Sequence, residues 1–405
     1  MLRYHPPGET CNEGSQPILL FSGLISNMNQ YLIHSTSAIE DLYDPQVPDE
    51  IAEWAEGDEN IEDDPMLYYS MAYYLWKMGY DPFFVNYRGT GYGEMKSDMG
   101  NGDTSLDVWA IYDVPPAVRK VYEITGQHPV IGGHSTGGLV TYIYLQGCEF
   151  KTSWFSGTYV VSNQAKSDER NGITEGSETI LGFIALEPAM IAKLPSILDT
   201  LLMWMIVDPD IYLDIRMIID DLLGIFFDDP VEFMVQLLDA LDNLIGGTEL
   251  AQLIIDILNT DPKHMNDPLM YYLLRYTLDN TYNKILSQYM DWSFHKTARE
   301  HYENRNNENE IIPDTPGGWF DRYYYYIDHM DKVRVATICF LATHNGEFMD
   351  LVIADEIIEH LMDAKTPNSN DEVYFVEGAH IDLAMGTTTP IEVFPRLGTW
   401  LEQTV

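Results

Sequence analysis

The stretch Val130-Ile131-Gly132-Gly133-His134-Ser135-Thr136-Gly137-Gly138, followed by Leu139-Val140-Thr141-Tyr142-Ile143-Tyr144-Leu145, constrains this chain more than any other. A short apolar run ends in Gly-x-Ser-x-Gly and continues into a segment of helix length. That pattern predicts a strand turning sharply into a helix, with one serine lifted above a sheet. Such a turn strains the backbone at the serine and presses neighbouring chain against it. Gly133 and Gly137 then supply room that a Cβ would fill. Two glycines around a serine also arise by chance in loops, so the flanking strand and helix carry the weight. Ser135 is the candidate nucleophile.

Apolar residues make up 45% of the 405, enough to build a packed core. The 64 acidic and 22 basic residues give a formal net charge of −42. This excludes nucleic acid as a partner, because phosphate binding needs clustered Lys and Arg, and it repels anionic membranes. A surface so acidic favours solubility in concentrated salt or reflects a bias toward cation binding. The abundant Ile, Tyr, Asn and Met argue against a strongly salt-adapted source. Three cysteines make no disulfide framework. Cys339 reads as a buried thiol, and Cys11 and Cys148 either pair or stay reduced. Met1 to Pro7 lacks the apolar core of a signal peptide; the expectation is a secreted protein whose signal peptide has been removed, with a cytoplasmic one as the alternative. No run of 18 uncharged apolar residues marks a membrane span.

In chain order, Ile18 to Leu24 and Asp81 to Tyr87 read as buried parallel strands with a helix, Ser70 to Tyr80, between them. Asp44 to Asp64 reads as a solvated acidic insertion. Val108 to Thr125 is helical and stops at Gly126. Lys151 to Glu178 reads as an irregular polar excursion before a strand at Leu181 to Leu186. Strands at Val333 to Ala342 and Glu372 to Val376 and a helix at Glu392 to Gln403 close the chain. Alternating strands and helices predict an α/β class with a mostly parallel, doubly wound sheet. Between Pro188 and Gly318 long Leu, Ile and Met runs punctuated by Asp-Pro predict an all-helical insertion. The expected division is a core of residues 1–187 and 319–405 with a helical cap or lid of 188–318.

A serine hydroxyl needs a base to take its proton, and the base needs a third group to orient it. His380, after the last strand and a glycine, stands where the base belongs. The acid is expected after the strand ending at Ala342, where Asp350 and, as the alternate, Glu347 are available. Asp350 also suits a plain helix cap. Oxyanion donors are expected from the backbone N–H groups of Thr136 and of Leu24, after the first parallel strand. The chemistry calls for no metal and no cofactor.

With these residues placed, the chain resembles the acid lipase family of α/β-hydrolases, which includes gastric and lysosomal lipases. Tyr112-Asp113-Val114-Pro115-Pro116-Ala117, Thr125-Gly126-Gln127 and Gly133-His134-Ser135 are similar to that family's motifs, as are Gly79-Tyr80-Asp81, Asn86-Tyr87-Arg88-Gly89 and His380-Ile381-Asp382. The likeness covers roughly residues 15 to 150 and 330 to 400. Ser22-Gly23 replaces the family's His-Gly before the oxyanion loop, and the insertion aligns poorly. The resemblance implies hydrolysis of esters of long-chain fatty acids through an acyl-enzyme under a helical lid, at a lipid–water interface. An acyltransferase, a polyester hydrolase or a non-catalytic binding relative would use the same framework.

Overall fold

The computed structural model describes residues 1–97, 104–154, 157–189, 212–213, 263–295, 297–301, 323–343 and 354–405. Seven strands form the main sheet. They are β1 (Leu2–Arg3), β2 (Pro17–Phe21), β3 (Asp81–Val85), β4 (Val130–His134), β5 (Gly182–Leu186), β6 (Ala336–Ala342) and β7 (Glu372–Val376). Their order is β1-β3-β2-β4-β5-β6-β7. The β1–β3 pair is antiparallel and every other pair is parallel.

Alternate side chains of a strand face opposite sides of a sheet, and here both sides are apolar. Leu19, Phe21, Ile131 and Phe183 enter one core, whereas Ile18, Leu20, Val130 and Ile184 enter another. A sheet buried on both faces needs helices on both. On the second face lie α1 (Met71–Lys77), capped by the Ser70 hydroxyl, and the closing helix Thr389–Thr404. The first face carries α2 (Val114–Thr125), ended by left-handed Gly126, and α3 (Thr136–Leu145). All ten residues of α3 are buried, so the helix that follows Ser135 runs through the core. This topology, with a strand–serine–helix turn at its centre, is the α/β-hydrolase fold.

Outside residues 188–318 the expected strands and helices are present, with ends moved by a few residues; within the insertion expected to be all-helical, Tyr212–Leu213 and Thr281–Tyr282 pair as short antiparallel strands. Two stretches differ from the sequence reading, the expected excursion Lys151 to Glu178 and the expected insertion Asp44 to Asp64. Cys148–Ser153 and Gly157–Ser162 pair as an antiparallel hairpin, and Gln164–Arg170 is a helix capped by Asn163. Its Arg170 is 2% exposed, stacks on Tyr144 at 4.3 Å and pairs with Glu178 at 2.9 Å. The charges that suggested an irregular excursion are therefore packing contacts. In Asp44 to Asp64, Ala55 and Ile61 are buried, and Asp58 accepts from the Tyr73 hydroxyl at 2.7 Å and pairs with Lys77.

Within the expected cap, the described part packs on the core. The helix Asp267–Tyr272 buries Leu269 and Met270 against Ile25, Met66 and Tyr73. From α4 (Asn283–His295), Ile285, Tyr289 and Trp292 join Leu139 and Tyr142 of α3. The rest of 190–262, apart from 212–213, and 302–322 lie outside the described residues. Cys11, Cys148 and Cys339 are free thiols, and burial pushes Cys148 up to about 12. Among the described residues, no helix is long and apolar enough to cross a membrane.

Candidate active site

Ser135 lies between β4 and α3 with φ 53° and ψ −113°, a conformation that side chains rarely adopt. Its own main chain is held from both sides. Its N–H donates to the Leu186 carbonyl at 2.8 Å, and its carbonyl accepts from Ala189 N–H at 3.2 Å. The glycines have the purpose read from the sequence. A Cβ on Gly133 or on Gly137 would lie 2.1 Å from the Phe21 carbonyl oxygen, and one on Gly132 1.9 Å from that of Ile184. Those oxygens belong to neighbouring strands and cannot give way. Gly133→Ala is expected to destabilise the fold by about 3 kcal/mol or more, read as a lowered denaturant midpoint. A loss under about 0.5 kcal/mol, the range of an ordinary surface change, would contradict this close approach.

Following β5, Glu187 is fully buried and has φ 45°. Its N–H donates to the Phe340 carbonyl at 2.8 Å, and its Oε1 accepts from Ala342 N–H at 3.3 Å, tying it to β6. Its Oε2 accepts from Nδ1 of His380 at 3.0 Å. His380, 5% exposed, comes from the loop after β7. A carboxylate partner keeps the proton on Nδ1 and leaves Nε2 with a lone pair, as a base requires. The strand-end backbone thus links Ser135 to Leu186, the next residue is Glu187, and Glu187 holds His380.

The expected acids Asp350 and Glu347 lie outside the described residues. The sequence reading looks for the acid after β6 and does not weigh Glu187, which stands one strand earlier, after β5. A signal was present: a glutamate ending the otherwise fully apolar strand Phe183-Ile184-Ala185-Leu186, in the strand that pairs with β4.

The loop after β2 reaches the serine. An added Cβ on Gly23 would lie 3.4 Å from Ser135 Cβ and 3.1 Å from His134 Nδ1. Gln30 Oε1 accepts from Gly23 N–H at 3.3 Å and from the Ser26 hydroxyl at 2.8 Å. With the Gly23 N–H engaged, the Leu24 N–H is the next donor along the loop. Ser22 donates its hydroxyl to the Ser26 carbonyl at 3.2 Å. Ile25 has φ 55°, so among the described non-glycine residues three of the four with positive φ surround this site; the fourth, Asp44, caps a helix.

The same loop is anchored from far along the chain. Asn27 N–H donates to the Thr277 carbonyl at 3.1 Å, Asp279 N–H to the Ile25 carbonyl at 2.9 Å, and Asn27 Nδ2 to Asp279 Oδ2 at 3.0 Å. Thr136 occupies the first position of α3, where the N–H has no acceptor within the helix. Its hydroxyl meets that of Tyr289 on α4 at 2.7 Å.

His134 is buried beside His380: Nε2–H donates to the His380 carbonyl at 2.8 Å, and the ring centroids are 4.4 Å apart. Burial, reinforced by His380, holds its pKa well below 6.5. Burial acts on His301 in the same direction. A histidine whose folded pKa is depressed contributes stability above its unfolded pKa and loses it as pH falls, because only the unfolded chain takes the proton. Each should cost about 1.4 kcal/mol per pH unit below roughly 6.5. Denaturation at pH 7 and pH 5 should show the fall, and a flat profile would contradict it.

No protein-family model and no curated sequence matches the chain. Solved structures do match. A soluble variant of monoglyceride lipase from Saccharomyces cerevisiae is 14% identical, with 97% of this chain and 88% of that one covered and a TM-score of 0.48. A carboxylesterase from the thaumarchaeon Nitrososphaera gargenis is 12% identical over 100% and 98%, with a TM-score of 0.42. A thermophilic esterase from Thermogutta terrifontis is 10% identical over 100% and 99%, with a TM-score of 0.41. These are likenesses of fold, and the site rests on its own geometry.

Proposed function

We propose that the chain is a serine hydrolase of carboxylic esters in which Ser135 is the nucleophile, His380 the base and Glu187 the acid that orients it. The observation that carries this reading is the buried hydrogen bond from His380 Nδ1 to Glu187, one residue past the carbonyl that holds the strained Ser135. Nothing in ordinary core packing calls for a carboxylate, an imidazole and a strained serine to converge at the ends of three strands.

In this reading Ser135 Oγ attacks the ester carbonyl while His380 Nε2 takes its proton. Glu187 stabilises the imidazolium that forms. The N–H groups of Leu24 and Thr136 hold the oxyanion. As the tetrahedral carbon collapses, the alcohol leaves with the proton from His380. A water then gives its proton to His380, its oxygen attacks the acyl carbon, and the acid is released with Ser135 restored. The resemblance to acid lipases supports hydrophobic acyl groups as the substrate class.

The test is a series of p-nitrophenyl esters from acetate to palmitate, together with labelling by a fluorophosphonate. Turnover, a single covalent adduct on Ser135 and a preference for chains longer than butyrate are expected. A folded protein that neither labels nor turns over any ester overturns the proposal. Turnover confined to acetate overturns the hydrophobic class alone.

A further inference from the structure

His134 makes an arrangement that the triad itself does not require. Its backbone N–H donates to the Tyr31 hydroxyl at 2.8 Å, and that hydroxyl donates to the Phe21 carbonyl at 2.9 Å, so the residue is fixed to the end of β2. Its ring then crosses to the other side of the site, where Nε2–H donates to the main-chain oxygen of His380. A carbonyl can only accept, so the partner dictates the Nε2–H tautomer. The loop carrying His380 is short and irregular. Gly378 has φ 141°, and Ala379 N–H donates to Asp382 at 2.8 Å. Beyond that local turn, among the described residues the loop is tied to the nucleophile strand by His134, the residue immediately before Ser135.

Resting on the serine-hydrolase reading, we infer that His134 is a positioning residue: its Nε2–H bond to the His380 carbonyl holds the base in register between Ser135 and Glu187. The bond acts on main chain, so it sets where the imidazole stands. The ring also remains neutral at working pH because it is buried. A cation 4.4 Å from His380 would oppose the imidazolium formed in each half-reaction. A small displacement of a general base costs rate rather than binding.

The test uses the full chain and two variants. H134F keeps a ring of similar size and removes the donor. H134Q carries an amide N–H to nearly the position of Nε2. H134F should lower kcat for p-nitrophenyl butyrate by about 10- to 100-fold, with KM close to wild type, and H134Q should recover most of the loss. Equal impairment of both variants, or a folded H134F with wild-type kcat, overturns the inference.

Nitrogen-15 histidine spectra of the wild-type protein test it without any variant. His134 should appear as the neutral Nε2–H tautomer at pH 7, and an Nδ1–H tautomer or a cationic ring overturns the bond. Wild-type turnover with H134F unimpaired rejects this inference alone. A wild-type protein without turnover or labelling rejects the serine-hydrolase reading and this inference together.

Discussion

Ser135→Ala should lower kcat on p-nitrophenyl esters by about 10⁴- to 10⁶-fold, the range seen when a triad nucleophile is removed, and should abolish fluorophosphonate labelling. The protein should remain folded. Alanine keeps the Cβ, and the bonds to Leu186 and Ala189 are made by the main chain, which the substitution leaves intact. The measurement pairs steady-state kinetics with a thermal melt. Activity within tenfold of wild type in a folded Ser135→Ala protein would remove the serine from the mechanism.

The second large effect is expected at Glu187. Glu187→Gln preserves shape but replaces an acceptor with a group that can donate toward Nδ1 of His380. The imidazole is then driven to the tautomer with its proton on Nε2, where it cannot accept from Ser135. A loss of about 10³- to 10⁴-fold in kcat is the size expected for this error. Asp350→Asn is the informative companion, because Asp350 was the acid expected from sequence. It should stay within about tenfold of wild type. The opposite pattern, with Asp350→Asn severely impaired and Glu187→Gln nearly normal, would transfer the role to Asp350.

The difference between the two acids shows what was legible in the chain. Ser135 and His380 announce themselves locally, one through flanking glycines between an apolar strand and an apolar helix, the other through its place after the last strand. Leu24 and Thr136 follow once those are placed, since backbone donors depend on position and not on residue type. The acid is different, because any carboxylate ending a strand close enough to His380 will serve. Which strand that is depends on sheet order and on side-chain reach, and a glutamate has one methylene more than an aspartate.

The fold was legible for a related reason. Strands such as Ile18-Leu19-Leu20-Phe21 are apolar on both faces and admit few alternatives. The hairpin from Cys148 to Ser162 was not, because its strands are only partly buried and carry Lys, Thr and Ser. Likewise the Leu- and Tyr-rich stretch around residues 267–292 reads as helical from sequence, and which core residues it packs against appears only in the structure. Helical periodicity states that one face is buried and leaves open what buries it.

The anchoring of the loop after β2 by Thr277 and Asp279 bears on how the site forms as the chain is made. Asn27 and Asp279 are 252 positions apart, and their contact closes only after everything between has been synthesised. A growing chain carrying Ser135 and Glu187 would still lack the clamp on Ile25 and Asn27, and His380 is made later again. On the proposed reading the site is therefore assembled last, by its most distant parts, and a partly made chain carries Ser135 without the loops that surround it.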